Sequence, residues 1–309
     1  MFSDCLAAVR RLKRRTLVVG IGLIVPVAVF GQAPSAFAKS PTGKFAVFAQ
    51  CPRFTTGVRL CLDSQTNSGE VVLNKQTVPI KNKITLQGGI IRNEETEAET
   101  FVAALNGETL SKTPQPVPGG LLGLIKCNEI NGEGLLEKLA RGTCEAIFEN
   151  KTTGVNAITE LAKPASDIGI NKNNLVNQEG VALSLPVKIR LENPLLGSAC
   201  YIGSSANPVT WNLTTGTTAP PAPNKPITGK VGHIELEEEA SFVEITNNSL
   251  VDNAYSAPQA TGCGGIFAFL IDPLIDSKIG LPSRAGYNTT ILNNTIKEAS
   301  AEAVIASEK

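Results

Sequence analysis

Six of the seven cysteines fall between residues 51 and 263. An even set of that kind becomes a covalent framework wherever the chain folds outside a reducing compartment. The N-terminus points to such a place. Arg10, Arg11, Lys13, Arg14 and Arg15 make a basic head, Leu17 to Phe30 an apolar stretch of 14 residues, and Ala36-Phe37-Ala38 an A-x-A end. In that order these are the parts of a cleavable secretory signal. The expectation is a signal peptide over 1–38, cleaved between Ala38 and Lys39, and a secreted or cell-envelope protein with no transmembrane anchor after cleavage. A spanning helix takes about 20 apolar residues, and Pro26 interrupts this shorter run. Cys5 leaves with the signal. Among the other six, the short loops Cys51–Cys61 and Cys127–Cys144 are the favoured disulfides, with Cys200–Cys263 left over. A structural zinc site is the rival reading, but its C-x2-C spacing is absent.

Met1–Ala38 holds five of the 28 basic and one of the 28 acidic residues, leaving 23 against 27, a formal −4 for the mature chain. A mildly acidic chain argues against general binding to nucleic acid, which takes many Lys and Arg to displace counterions. The longest apolar run after the signal, Ile266 to Ile271, is too short to span a bilayer.

Period-two alternation marks half-buried strands. The clearest is Val181, Leu183, Leu185, Val187, Ile189, Leu191, where Pro186 predicts an edge strand or a bulge. Phe45-Val47, Val58-Leu60-Leu62, Val209-Trp211-Leu213 and Ile234-Leu236 read the same way. Asn67-Ser68-Gly69, Gln87-Gly88-Gly89 and Thr214 to Pro226 read as turns or loops. Helix is expected over Glu133–Phe148, with Leu135, Leu139, Ile147 and Phe148 on one side. It is also expected over the Ala- and Glu-rich Ile296–Ser307. Residues 99–125 and 239–271 share Phe-Val, Leu, Pro-Gln and Gly-Gly in the same order, at offsets of roughly 140 residues, the mark of a duplicated unit. The expected fold is mainly β: two related β-sandwich-like halves over 39–165 and 166–309 with a few short helices, and α+β as the alternative. Pro164, Gly169 and the polar run Asn171–Asn174 mark the connector between them.

Site signals are sparse. His233 is the single histidine, so one histidine-dependent nucleophile at most is available. His233, Glu235 and Glu237 share one strand face and are candidates for a weak acidic cluster, though a solvated face is the preferred reading. Glu94, Glu95, Glu97 and Glu99 form a second acidic group, again read as exposed charge. A carboxylate pair can hydrolyse glycosides only at the right separation, and no D-x-D-x-D-G calcium loop is present. No catalytic, cofactor-binding or metal residue is assigned, and no cofactor is expected. The matched runs Gly119–Ile125 and Gly264–Ile271 would either bury in their cores, the preferred reading, or clasp an apolar ligand or lipid surface. Asn150, Asn212, Asn247, Asn288 and Asn293 sit in N-x-[ST] sequons.

The stretches PVTWNLTTGTTAPPAPNKPI, GETLSKTPQPVPGGLLG and SLVDNAYSAPQATGCGG resemble a group of uncharacterised secreted proteins of high-GC Gram-positive bacteria, over most of the chain after the signal. The resemblance implies bacterial export and transfers no functional residue. Three functions follow as expectations. The first is a non-enzymatic binding or structural protein of the cell envelope or extracellular space. The second is a secreted hydrolase using paired carboxylates. The third is a carrier of an apolar ligand or lipid.

Overall fold

The computed structural model describes residues 39–309 except 94, 97, 150–152 and 238–240. The expected signal, including Ala38, and the sequon at Asn150 lie outside the described residues. Lys39–Lys309 forms one compact unit. Its strands are β1 (Val58–Leu73), β2 (Gln76–Pro79), β3 (Ile84–Arg92), β4 (Glu99–Ala103), β5 (Gln115–Pro116), β6 (Asn156–Leu161), β7 (Gly169–Ile170), β8 (Leu183–Glu192), β9 (Tyr201–Ile202), β10 (Val209–Leu213), β11 (His233–Glu237), β12 (Phe242–Asp252), β13 (Ala260–Thr261) and β14 (Asn288–Ser300). The helices are α1 (Gly120–Leu124), α2 (Leu135–Glu149), α3 (Lys172–Asn177), α4 (Ala268–Ile279) and α5 (Ala301–Ala306).

The architecture is mainly β, with two antiparallel sheets. The first runs β11-β12-β14-β1-β3-β4, with β2 beside β1; the second runs β13-β9-β8-β6-β5, with β10 and β7 beside β8. One core cluster joins inner-face residues of both, including Leu62, Leu86, Ile90, Leu292 and Ile296 of the first sheet and Leu185, Ile189, Leu191 and Trp211 of the second. Each sheet therefore draws strands from both sides of residue 165. The boundary placed there in the sequence does not separate two sandwiches, because long β1 and β14 pair from Leu60–Ser300 to Leu73–Asn288 and close the chain on itself. A satellite core on the other face of the first sheet gathers Phe48, Val58, Phe242 and Val304.

All six cysteines among the described residues are bonded, as Cys51–Cys61, Cys127–Cys144 and Cys200–Cys263. The second ties α2 to the turn before it. Leu135 and Leu139, expected on one apolar side of α2, are exposed, while Ala140 and Cys144 are buried.

Other local expectations yield to tertiary pairing. Gly43–Phe48 is a 3-10 turn rather than a strand. Asn67-Ser68-Gly69 is a β-bulge inside β1 rather than a turn, and Gly88-Gly89 lies inside β3. A side chain at Gly89 would meet Val58 at 2.9 Å, so that strand needs glycine for close packing. Ile296–Ser300 belongs to β14, leaving only α5 helical. Strand β8 is central, not an edge. Pro186 is tolerated because its carbonyl accepts from Ala162 N. That places its missing N–H in the gap between β6 and β7, where no ladder bond is needed.

Candidate functional site

Inner-face residues of the two sheets do not meet everywhere. Three apolar spaces lie in a row between them. The one at the far end is a gap of about 40 Å³ beside Leu73, Ile80, Val117, Leu124, Ile189 and Ile279. The middle one is a gap of about 30 Å³, and Thr66, Leu110, Leu185, Trp211, Leu292 and Asn294 surround it. The outer one is a cavity of about 260 Å³ between Leu62, Ile90, Leu175, Ile234, Ile245 and Ile296. Val71, Ile80, Ile84 and Thr159 wall both the first and the second; Ser64, Leu86 and Leu183 wall both the second and the third.

Small and polar residues, Ser64, Thr66, Thr159 and Asn294, stand among the walls of the middle space. Strand β14 turns Asn288, Thr290, Leu292, Asn294 and Ile296 inward. Their polar groups are satisfied laterally: Thr66 Oγ1 donates to Asn294 Oδ1 at 2.6 Å, and Asn294 Nδ2 donates to Asn248 Oδ1 at 3.3 Å. These hydrogen bonds offset the cost of burying the polar groups. The Asn and Thr side chains also fill less volume than Leu or Ile would.

The outer mouth is apolar at its lip and charged at one corner. Leu236 of β11 and Val176 of α3 both line it, 66% and 48% exposed. The corner is built by α3, which Asn171 caps by accepting from Asn174 N. That cap sets Lys172 against two carboxylates, Glu99 Oε1 at 2.9 Å and Glu298 Oε1 at 3.1 Å. Burial holds the Glu298 carboxyl above its ordinary range; Lys172 and Arg92 pull it down, and Glu99 pushes it further up. The Glu99 side chain is only 7% exposed, and its Oε2 has no hydrogen-bond partner. Beyond Lys172 opens a polar recess of about 330 Å³, lined by Arg92, Thr96, Glu99, Asn171 and Asn173.

The residues singled out in the sequence lie elsewhere. His233, Glu235 and Glu237 are exposed on edge strand β11; His233 Nε2 is 3.4 Å from Glu235 Oε1, and Lys44 bonds Glu237 Oε2 at 2.7 Å. In the other acidic group Glu95 is exposed while Glu94 and Glu97 are outside the described residues. Glu99 departs from the expected exposed charge, because β4 turns its side chain inward to Lys172. Of the two Gly-Gly runs, the first buries Leu121, Leu124 and Ile125. The second buries Ile271 but leaves Ile266 76% and Phe269 56% exposed. Gly119 and Gly264 take φ of 78° and 79°, and the helices that follow, α1 and α4, pack together. Asn288, one of the sequons, is fully buried.

Among the described residues, no group of three His, Cys, Asp or Glu is placed to hold a metal ion, and no helix is long and apolar enough to cross a membrane. Three disulfides are typical of extracellular proteins. No family model, curated protein or solved structure matches the chain.

Proposed function

We propose that this is an exported bacterial binding protein that holds the apolar chain of an amphiphile between its two sheets. The observation that carries the reading is the outer apolar space between the sheets, which opens at Leu236 and Val176. Concave, mostly apolar sites with a few convergent polar groups are where small ligands bind. The outer space, about 260 Å³ and walled by Leu62, Ile90, Ile245 and Ile296, has room for a short apolar segment. The tripartite N-terminus, the three disulfides and the resemblance to secreted bacterial proteins support a site of action outside the cytoplasm. The carboxylate-hydrolase reading has less behind it, since His233, Glu235 and Glu237 face solvent.

The test uses mature protein, Lys39–Lys309, stripped of lipid on a hydrophobic resin and titrated with N-phenyl-1-naphthylamine. Trp211, the one tryptophan, walls the middle space. Saturable probe uptake with a matching change in Trp211 emission is expected. Probe fluorescence that rises without saturation, with Trp211 emission unmoved, refutes the reading.

A further inference from the structure

We propose that Asn131 is a site of covalent self-modification, where water converts the side-chain amide to a carboxylate after attack by the backbone nitrogen of Gly132. The inference stands apart from the carrier reading.

Two stretches of the chain carry almost the same four residues, Leu105-Asn106-Gly107-Glu108 and Ile130-Asn131-Gly132-Glu133. An asparagine followed by glycine is open to cyclisation, because glycine has no side chain to hinder its nitrogen and leaves the backbone free to turn. The Gly132 nitrogen attacks Asn131 Cγ and gives up its proton. The new N–C bond closes a five-membered imide, and the side-chain nitrogen leaves with that proton as ammonia. Water then opens the ring at either carbonyl, leaving aspartate or isoaspartate. One amide and one water become one carboxylate and one ammonium ion. Nothing is oxidised, and water is the only co-reactant.

The fold treats the two stretches differently. Asn106, Gly107, Asn131 and Gly132 are all exposed, so access to water does not separate them. Hydrogen bonding does. In the turn after β4, Gly107 N donates to Ala104 O at 3.0 Å and Asn106 Oδ1 accepts from Glu108 N at 2.9 Å. The attacking nitrogen and the attacked amide are both held there, and bringing them together means opening those bonds. Asn131 and Gly132 lie between the 3-10 turn Cys127–Glu129 and α2. Among the described residues, neither the Asn131 side chain nor the Gly132 N–H has a hydrogen-bond partner. Arg141 anchors the segment through carbonyls alone, Ile130 O at 2.7 Å and Gly132 O at 3.3 Å. A carboxylate formed at residue 131 therefore arrives beside a guanidinium, inside the loop closed by Cys127–Cys144.

The experiment incubates mature protein at mildly alkaline pH, in one arm native and in the other reduced and unfolded in guanidinium. The tryptic peptides Asn93–Lys112 and Cys127–Lys138 are followed by mass spectrometry, with the altered residue placed by fragmentation. Native protein is expected to lose the Asn131 amide at least about fivefold faster than the Asn106 amide, the scale of one hydrogen bond opened before attack. In unfolded protein two near-identical sequences should react within about twofold of each other, since the fold no longer distinguishes them. A native ratio no greater than the unfolded ratio, or loss of the Asn106 amide first, overturns the proposal.

Discussion

Replacing Ser64 by isoleucine asks whether the space between the sheets is real. Ser64 lies on the inner face of β1, across from Ile296 of β14 and Leu86 of β3, and it walls both the middle and the outer space. Isoleucine adds three carbons there. At about 0.8 kcal/mol per buried carbon, filling empty apolar volume is worth about 2 kcal/mol. Fixing the new side chain takes back about 0.5–1 kcal/mol. A β-branched residue suits the strand, so the net is a gain of about 1.5 kcal/mol, or a Tm higher by about 4 °C for a chain of this size. A site already packed to ordinary density gives the opposite sign, a loss of about 1–3 kcal/mol from overpacking. The same isoleucine stands in the path from mouth to middle space, so affinity for N-phenyl-1-naphthylamine should fall at least about tenfold, as expected for losing some 1.4 kcal/mol of contact. Scanning calorimetry and probe titration on lipid-stripped protein measure the two effects. A lower Tm with undiminished probe binding refutes the cavity.

Other parts of the fold make separate predictions. In the chain-entropy picture, the Cys200–Cys263 bond closes a loop of sequence separation 63 and Cys51–Cys61 one of 10. Replacing the first pair by alanine should cost about 4 kcal/mol and the second about 3 kcal/mol, and a reversed order in urea unfolding would count against that account. Asp63, Asp252 and Glu298 are each held above the ordinary carboxylate range by burial. Raised acids contribute stability that is complete below their unfolded values and lost as pH climbs through the folded ones. Tm should therefore rise on going from about pH 7.5 to about pH 5; a fall over that interval contradicts the assignment. Arg53 and Glu308 form an ion pair with side chains only 6% and 9% exposed. Glu308→Ala strands the guanidinium, although carbonyls of Lys39, Ala49 and Cys51 remain as acceptors. A loss of about 3 kcal/mol, the low end for a broken buried pair, is expected in denaturant unfolding, and no change would show the pair to be idle.

Strands whose inner positions are aliphatic announce themselves. In β8 and β10 the inward residues include Leu185, Ile189, Leu191 and Trp211, so period-two alternation is plain in the sequence. Strand β14 has the sharper burial alternation of all, yet Asn288, Thr290 and Asn294 share its inner face with Leu292 and Ile296. Hydrophobicity cannot register that period, and the Ala- and Glu-rich end reads as helix until pairing with β1 and β12 overrides the propensity. The corner of the site was hidden for a related reason. Glu99 sits in a run of acids, Lys172 in a polar connector and Glu298 in that apparent helix; three remote stretches meet only because β4, α3 and β14 converge.

The residues that defeat the pattern also line the cavity. A sandwich core of interdigitating Leu and Ile closes to crystal-like density. Here Ser64, Thr66, Thr159 and Asn294 stand on inner faces and surround the middle space. Ser64 is shorter than the aliphatic residue a sealed core would carry, and Thr66, Thr159 and Asn294 put polar atoms where it would carry methyls. Thr66 and Asn294 bond sideways within their own sheet, so they hold the strand without reaching across to the other layer. Glu298 continues the same alternation one step past Ile296 and places charge where the gap opens. Departures from local rules tend to gather at functional sites. Along β14 two of them share one face, Asn294 at the middle space and Glu298 at the mouth, so the breaks in the hydrophobic period fall where the sheets part.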